Sequence, residues 1–381
     1  MSDFDAVVVG GGIVGSAVAY HLADAGADAL LVDRRDKGRA TDAGAGIVSP
    51  ATSSRTDSTA WFEFALAAAD YYPDLAAELS AAGHDHGYSE TSVVVVAADE
   101  EEHAELDAVR DRAERRTAEY GRPEPGSVAS LAGDALQEAF PPVADGARAL
   151  RFANAGRVDG RRFATALRAV GRERGLTVRD GEVGRIRTNG ASVTGVTLAD
   201  GERIDASDVV VAGGAWSGAF ASDLGIEVPI EPHRGQIAHL DVSTAPSLSG
   251  TDDWPVVKGF RGHYMVPWPG ERIAVGATRE EGAGFAPHAT LGGIAEVSRE
   301  ALRVAPGLAE ARHAETKVGL RPVSADRLPV LGPVPSVEGA HLATGHGATG
   351  LQLGPYSGKL VADAVLGEAP TALDGFGPAR F

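Results

Sequence analysis

The first residues able to do chemistry form a glycine cluster near the start of the chain, Gly10-Gly11-Gly12-Ile13-Val14-Gly15. In this G-x-G-x-x-G pattern Gly10 permits a tight turn, Gly12 lets backbone approach a pyrophosphate, and Gly15 lets a helix pack closely on a strand. Asp33 follows about twenty residues later, where a carboxylate accepts hydrogen bonds from a ribose. Together these residues predict a dinucleotide-binding site.

Three segments around the cluster have the pattern of one βαβ unit. Residues 6–9 are wholly apolar and β-branched, which is typical of a buried parallel strand. Residues 14–25 have apolar side chains at helical spacing with Gly26 as a stop signal, and residues 29–32 predict a second strand. The glycines therefore stand between a strand and a helix, where phosphates meet the helix N-terminus.

The rest of the chain alternates helical and strand-like patterns. Residues 59–79 predict a helix, which Pro73 is expected to break or kink. Residues 121–142 are rich in proline, glycine and small side chains and predict a connection between domains. A β-meander over residues 176–211 and alternating runs over 226–278 indicate a mixed or antiparallel sheet.

Composition excludes several classes of protein. A chain of 381 residues with 44% hydrophobic content predicts two domains. The net charge of −18 argues against nucleic acid as a partner. Without cysteine there is neither a disulfide nor a cysteine-linked cofactor, and no HExxH motif or clustered Asp/His set predicts a metal. The N-terminus lacks a secretory signal pattern, so we expect a cytoplasmic protein.

Four later segments carry the motifs of one family, in that family's order. They are the small-residue stretch 38–47 (GRATDAGAGI), the strand and glycine turn 209–217 (VVVAGGAWS), the arginine motif 319–322 (GLRP) and the glycine loop 345–355 (GHGATGLQLGP). Together with the first motif, these segments span nearly the whole chain. Through them the chain resembles the FAD-dependent D-amino-acid oxidase and glycine oxidase (DAO) family.

The resemblance implies noncovalent FAD. Small side chains in 38–47 let backbone approach the pyrophosphate and the flavin, Val183 lies beside the adenine, and the 347–352 loop directs N–H groups at the flavin's pyrimidine edge, where negative charge grows as hydride reaches N5. The implied cofactor-binding residues are Gly10, Gly12, Ile13, Val14, Gly15, Asp33, Arg34, Arg39, Ala40, Thr41, Ala45, Gly46, Ile47, Val183, Ala212, Gly213, Trp216, Gly347, Thr349, Gly350, Leu351 and Gln352.

The resemblance also implies three residues at the substrate. Arg321 is the expected anchor, because a guanidinium holds a carboxylate through two parallel hydrogen bonds; the alternative is a pair with Asp326. Tyr264 matches the family's tyrosine over the substrate, with ordinary strand packing as the alternative. His346 would lie near the flavin, although hydride transfer from a neutral amine needs no general base. Loop packing is the alternative for this histidine.

Two departures from the glycine oxidase pattern leave the substrate open. Ala348 stands where glycine oxidases have an arginine, which removes one carboxylate contact. Arg279 stands where they have an apolar residue, and we expect it to pair with Glu280 at the surface. The alternative is that Arg279 faces the substrate from the other side.

The resemblance implies an α/β fold of the glutathione-reductase FAD type. A Rossmann-like FAD-binding domain is expected from residues 1–85, 151–225 and 320–381. A mixed-sheet substrate domain is expected from residues 86–150 and 226–319.

The expected function is oxidation of a small amino acid or N-alkyl amino acid, of the D-amino-acid, glycine or sarcosine type, to an imino acid by hydride transfer to flavin N5. Dioxygen or a quinone-type carrier would then receive the electrons. A 2-hydroxy-acid oxidoreductase and a flavin-carrying accessory subunit are the alternatives on the same scaffold, and NAD binding predicts a colourless protein. The sequence leaves stereochemistry and oligomeric state open.

Overall fold

Two β-sheets and the helices packed on them organise residues 2–381, the part of the chain that the computed structural model describes. In chain order the elements are β1 (Phe4–Val9), α1 (Ile13–Asp24), β2 (Ala29–Asp33), α2 (Ala40–Ala43), β3 (Ile47–Val48), α3 (Thr59–Ala81), β4 (Tyr88–Ala97), α4 (Glu100–Tyr120), β5 (Val128–Ala132), α5 (Gly133–Ala139), β6 (Arg148–Val158), α6 (Gly160–Glu173), β7 (Thr177–Asp180), β8 (Val183–Thr188), β9 (Val193–Leu198), β10 (Arg203–Val211), α7 (Ala221–Leu224), β11 (Ile230–Asp241), β12 (Val256–Gly259), β13 (Tyr264–Trp268), β14 (Arg272–Gly276), α8 (Leu291–Val304), β15 (Arg312–Ser324), β16 (Val330–Pro333), β17 (Ala340–Thr344) and α9 (Gly350–Val365).

The first sheet has eight strands, and along its main order β16-β17-β10-β1-β2-β7 every pair except β16–β17 is parallel. The remaining two strands form an antiparallel β8–β9 ribbon, which joins the start of β10 through an antiparallel pair with β9. Its central strand β1 is apolar and buried on both faces, because α1 and α9 pack on one side and the β8–β9 ribbon packs on the other. In the register, Val9 pairs with both Val211 and Val32. The carboxyl ends of β1, β2 and β10 therefore lie together at one edge.

The second sheet is mixed, with the order β15-β11-β14-β13-β12-β4-β6-β3. Its pairs are antiparallel except for β12 with β4, and its longest pairing runs from Ile230 opposite Ser324 to Asp241 opposite Arg312. One face is closed by apolar side chains of α8, including Val297. A parallel sheet joined to a mixed one confirms the predicted fold class.

The chain passes between the two sheets in several places. For example, β3 follows α2 and pairs with β6 of the mixed sheet. The expected domain boundaries at 150/151 and 319/320 fall inside β6 and β15. None of the helices in residues 2–381 combines the length and the apolar character needed to cross a membrane.

The prediction of a break at Pro73 is wrong. Helix α3 runs through this proline, which lies on its exposed face, while Tyr72 and Leu75 on either side are 0% and 1% exposed. An interior proline costs a helix about 3 kcal/mol, and burial of one large apolar side chain contributes about 1.5–3 kcal/mol. Packing of the apolar face therefore outweighs the lost hydrogen bond.

The prediction that residues 121–142 form a plain connection is also wrong. This stretch contains β5, which pairs with β6, and α5. Leu136 and Phe140 bury their side chains completely, and the Phe140 ring packs edge-on against Trp254 at 5.4 Å between centroids. Two large apolar anchors thus order a segment whose composition resembles a linker.

Candidate active site

A long cavity lies at the carboxyl edge of the parallel sheet and extends to the mixed sheet, with about 1910 Å³ of empty volume including its mouth. Its walls at one end come from the loops after β1, β2 and β10. At the other end they include Ile237 of β11, Tyr264 of β13 and Arg321 of β15. Residues more than 300 positions apart, such as Gly12 and Gln352, meet in its lining.

The structure brings most of the residues expected to bind the cofactor to this one cavity. Those in its lining are Gly10, Gly12, Ile13, Val14, Asp33, Arg34, Arg39, Ala40, Thr41, Ala45, Gly46, Ile47, Val183, Ala212, Gly213, Trp216, Gly347, Gly350, Leu351 and Gln352. The expected substrate residues Tyr264, Arg321 and His346 line the same cavity. Gly15 and Thr349 do not line it.

Gly15 and Thr349 lie outside the cavity lining and support its shape indirectly. A Cβ at Gly15 would lie 1.9 Å from the carbonyl oxygen of Gly10, so glycine is needed for α1 to approach β1. The Thr349 hydroxyl donates to the carbonyl of His346 at 2.8 Å and fixes the turn before α9. Both shape the cavity without facing it.

The N-terminus of α1 is suited to a pyrophosphate. Its N-cap is Gly12, which has no side chain to cap the first-turn N–H groups. Gly10 has a φ of +106°, and a Cβ there would lie 2.5 Å from the carbonyl oxygen of Ala212. The hydroxyl of Thr41 accepts from the N–H of Ile13 at 2.9 Å, and the helix end faces the cavity, which is the arrangement that binds phosphate oxygens in proteins.

The end of the cavity next to β2 contains arginines that are paired with acids. Arg39 donates to Asp33 at 2.6 Å and to Asp42 at 2.9 Å. Arg34 pairs with Glu182 at 2.7 Å and with Asp36, and its guanidinium lies 5.5 Å from the centre of the Trp216 ring. Asp33 is thereby held at the cavity wall, where the sequence predicts a ribose contact.

A helix N-terminus also faces the opposite end. Gly350, Leu351 and Gln352 form the first turn of α9 and line the cavity, and the N-cap Thr349 makes no side-chain capping bond. The positive end of the helix dipole therefore points to the cavity. The Gln352 Oε1 accepts a hydrogen bond from the backbone N–H of Ser49 at 3.1 Å, which fixes this turn against the mixed-sheet side.

Arg321 lies partly buried on β15, and its Nη1 donates to the carbonyl of Thr278 at 3.0 Å. The alternative of a pair with Asp326 is wrong, because Asp326 pairs with Arg380 at 2.6 Å. Tyr264 lines the same cavity, and the charge of Arg321 acts on its phenol. Burial lowers the pKa of Arg321 and raises the pKa of Tyr264. The raised pKa keeps the phenol neutral at neutral pH, whereas a guanidinium remains charged in proteins.

Gly235 is a site residue that the sequence analysis missed. A Cβ at this position of β11 would lie 2.2 Å from Nη2 of Arg321, so the guanidinium lies directly on the backbone of the neighbouring strand. A lone glycine inside a strand pattern is the signal that could have pointed to such a close approach.

The expectation that Arg279 pairs with Glu280 is wrong. Glu280 pairs with Arg234 of β11 at 2.6 Å, while Arg279 lines the cavity and donates from Nη1 to the carbonyl of Gly262 at 2.8 Å. Arg234 and Glu280 form a β-bridge, so consecutive side chains point to opposite faces there. The backbone thus separates Arg279 from the acid next to it in sequence.

His346 is 4% exposed, and burial lowers its pKa to about 4, so the ring is neutral near pH 7. Its Nε2 lies 3.0 Å from the hydroxyl of Ser357, which itself donates to the carbonyl of Leu353. Since that hydroxyl has a single proton, Nε2 of the histidine is the donor and Nδ1 carries the lone pair. The ring joins the turn before α9 to the helix itself.

Comparison with known proteins assigns the class. Residues 5–364 match the DAO family, described as FAD dependent oxidoreductase, and the chain belongs to this family. The predicted enzyme class, an FAD-dependent oxidoreductase of the amino-acid oxidase and dehydrogenase type, is thereby confirmed. The helix N-terminus at Gly12 and the polar wall at Asp33 fit the phosphates and the ribose of that cofactor.

Particular relatives match over nearly their full lengths. The chain is 38% identical to the uncharacterized oxidoreductase YurR of Bacillus subtilis (97% of this chain, 96% of the relative) and 32% identical to a glycine oxidase of Pseudomonas putida (96% and 95%). Among solved structures, iminodiacetate oxidase from Chelativorans sp. BNC1 is 37% identical, with a TM-score of 0.91 and 98% of each chain covered. Glycine oxidase from Geobacillus kaustophilus is 28% identical, with a TM-score of 0.87 and 100% of each chain covered.

Proposed function

We propose that this protein oxidises a small amino acid or N-alkyl amino acid to the corresponding imino acid, with noncovalently bound FAD as the hydride acceptor. The observation that carries the proposal is Arg321, a partly buried guanidinium at the cavity wall that no acid within residues 2–381 neutralises. Two similar proteins are named glycine oxidase and iminodiacetate oxidase, and both names describe the oxidation of an amine that carries a carboxylate. This supports the same class of substrate for the proposal.

FAD, when bound, supplies a two-electron acceptor at N5. The substrate's Cα–H bond breaks as hydride leaves with both electrons, and the nitrogen lone pair forms the C=N bond. Water then hydrolyses the imino acid to a 2-oxo acid and the free amine. Dioxygen or a quinone-type carrier takes up the two electrons and completes the cycle.

Arg321 and Tyr264 position the substrate. The guanidinium binds the carboxylate through parallel hydrogen bonds, which fixes the direction of the Cα–H bond. The neutral Tyr264 phenol is the second donor to the same carboxylate, since it lines the same cavity and the charge of Arg321 acts on it. Burial keeps the phenol protonated, so this donor is present throughout the physiological pH range.

Within residues 2–381, no carboxylate lines this end of the cavity as a general base. The acids that line the cavity are Asp33, Asp36 and Glu182, which pair with arginines near β2. The substrate amine therefore loses its proton to water before hydride transfer. His346 contributes by holding the N-terminus of α9, whose dipole stabilises negative charge on the pyrimidine side of the cofactor.

Anaerobic mixing of the yellow holoprotein with amino acids, N-alkyl amino acids and 2-hydroxy acids tests the proposal. We expect amines to bleach the visible absorbance of the bound flavin. Bleaching by 2-hydroxy acids alone would replace the proposed function with hydroxy-acid oxidation. Intact flavin that no candidate reduces would indicate an accessory subunit, and a colourless protein that takes up no FAD would contradict the whole scheme.

Arg321→Ala supplies the matched variant. It should retain FAD and lose reduction by amines, because the variant removes the guanidinium that holds the carboxylate next to the oxidised carbon. Arg185→Ala is the control, since Arg185 has a side chain 74% exposed on β8 and pairs only with Asp223. Equal rates of flavin reduction in the two variants would show that Arg321 does not bind the substrate.

A further inference from the structure

We infer that the substrate carries a second carboxylate and that Arg279 binds it. The inference rests on the proposed function, because it concerns the same cavity and the same anchor. Arg279 and Arg321 lie on strands β14 and β15 or just after them, and both line the cavity. A substrate with one carboxylate would neutralise only one of the two guanidiniums.

The arginines that line the cavity differ in whether they pair with acids of the protein. Four arginines line the cavity, and the two near β2, Arg34 and Arg39, each pair with two acids. Arg279 and Arg321 have no Asp or Glu oxygen within 4.0 Å anywhere in the described part of the chain. The substrate end therefore carries two positive charges that the protein does not balance.

The acid next to Arg279 is fully engaged elsewhere. One oxygen of Glu280 accepts from Arg234 at 2.6 Å, and the other accepts from Gln236 at 2.7 Å and from Thr278 at 2.6 Å. Both oxygens are therefore bonded to β11 and to Thr278 in the segment after β14, and neither reaches Arg279. The nearest acid in sequence does not serve as the partner of Arg279.

The position of Arg279 places the second carboxylate near the cavity mouth. Its side chain is exposed, and Nη1 donates to the carbonyl of Gly262 at 2.8 Å in the turn between β12 and β13. One N–H of five is used there, which leaves the rest of the planar group free for an anion. Arg321 is the more buried of the two, so it binds the carboxylate next to the oxidised carbon.

Both guanidiniums affect the phenol of Tyr264, which indicates that Arg321 and Arg279 face the same part of the cavity. The charges of Arg321 and Arg279 both oppose the rise that burial gives the pKa of this phenol. The charge of Arg279 also contributes to lowering the pKa of Arg321. An amine with a carboxylate on each side, as an N-(carboxyalkyl) amino acid or an amino acid with an acidic side chain, would relieve this repulsion.

For an N-carboxymethyl amino acid the reaction balances with the proposed acceptor. Hydride leaves one methylene for FAD, the nitrogen forms a C=N bond to that carbon, and water releases a 2-oxo acid and the remaining amino acid. The carboxylate on Arg321 belongs to the oxidised half, and the carboxylate on Arg279 belongs to the half that leaves as the amino acid.

The test compares pairs of compounds that differ only in the second carboxylate. Iminodiacetate and N-ethylglycine are one pair, and aspartate and alanine, each as both enantiomers, are the other. We expect the holoenzyme to prefer one of the dicarboxylates by about 10- to 100-fold in kcat/KM, the range of one charge-assisted contact. The pair that shows the preference tells whether the second carboxylate is on the nitrogen or on the side chain.

Arg279→Gln should lower kcat/KM for the dicarboxylate more than for the monocarboxylate, so that the preference is lost, while Arg279→Lys should restore part of the preference. Arg272→Gln is the control, since Arg272 is exposed on β14 and does not line the cavity. Preference for the monocarboxylate, or equal losses on both members of a pair in Arg279→Gln, would overturn the inference.

Binding of inert acids separates this inference from the proposed function. Glutarate and pentanoate are titrated into the holoprotein, and changes in the flavin absorbance report their binding. Glutarate should bind about tenfold or more tightly than pentanoate in the parent protein and no more tightly in Arg279→Gln. Tight glutarate binding without oxidation of any amine would reject the proposed reaction alone, whereas amine oxidation without a glutarate preference would reject the second anchor alone.

Discussion

Glu280 pairs with Arg234 across neighbouring strands, at 2.6 Å between Oε2 and Nη2, and not with Arg279 beside it in the chain. Burial would raise the pKa of Glu280, but hydrogen bonds from Arg234, Thr278 and Gln236 lower it overall. The carboxylate therefore holds Thr278, whose carbonyl accepts from Arg321 at 3.0 Å. This network fixes the anchor and leaves Arg279 without an acidic partner in residues 2–381.

Replacing Glu280 by glutamine removes the charge and keeps the size of the side chain. We expect the free energy of unfolding to fall by about 1–3 kcal/mol, because Arg234 stays largely buried without its counter-charge. KM should rise several-fold as Thr278 and Arg321 lose their support. Thermal unfolding and steady-state kinetics measure the two effects.

Glu281→Gln is the control for this variant, since its side chain is 70% exposed and meets only His233, at 3.8 Å. The role assigned to Glu280 requires a lower Tm and a higher KM than in the control. Identical values for the two variants would mean that the network does not support the anchor.

Tyr264→Phe tests whether the phenol donates to the substrate carboxylate. The ring is kept and one hydrogen bond is lost, so we expect KM to rise about five- to twentyfold, the equivalent of roughly 1–1.8 kcal/mol. The kcat at saturation should change less than KM, because the neutral phenol moves no proton in the proposed reaction. A large fall in kcat with unchanged KM would instead assign Tyr264 to the chemical step.

Local sequence patterns were enough to predict the first βαβ unit. A buried apolar strand, a glycine turn and a helix stop at Gly26 are all short-range features, and the observed α1 (Ile13–Asp24) differs from the prediction by one residue at each end. The approach of Gly12 and Gln352 in one cavity could not be predicted from local sequence patterns in the same way. It followed from the family's motif order, since no periodicity relates residues so far apart.

The wrong predictions have physical causes that lie outside local pattern. Pro73 stays helical because its neighbours are buried in tertiary contacts, which propensity does not include. Arg279 and Glu280 are separated because consecutive side chains face opposite ways, and neither spacing nor charge reveals which face borders the cavity. Gly235 gains its role only when Arg321 from another strand lies on it.

Gly15→Ala should weaken FAD binding although Gly15 does not line the cavity. The added methyl would meet the Gly10 carbonyl oxygen at 1.9 Å, so α1 must move away from β1 and carry the Gly12 N-cap with it. Overpacking of this kind costs about 1–3 kcal/mol. The ratio of flavin absorbance to protein absorbance and the Tm measure the loss of cofactor and of stability.

Gly292→Ala is the matched control, because a Cβ at this position of α8 meets no atom within 4 Å. It should be neutral or stabilise the protein by a few tenths of a kcal/mol, since alanine is the better helix former. If Gly15→Ala kept a full complement of FAD and an unchanged Tm, α1 would not need its close approach to β1.

Acid should destabilise the protein through His346. Its pKa is lowered from 6.5 to about 4 by burial, so between these values the unfolded chain binds a proton that the folded chain does not. The stabilising contribution is complete above pH 6.5 and is lost as pH falls towards 4. The loss at this position amounts to about 3 kcal/mol, because one unit of pKa corresponds to about 1.4 kcal/mol.

His346→Gln keeps a donor towards Ser357 and removes the titration, so its Tm should fall less than that of the parent protein between pH 7 and pH 5. Part of the acid sensitivity should remain, because burial also lowers the pKa of His21 and of His239 to about 4. His313→Gln, at an exposed position, is the control and should follow the parent. If the Tm of His346→Gln fell as steeply as that of His313→Gln, the buried ring would not be the group whose protonation opens the fold.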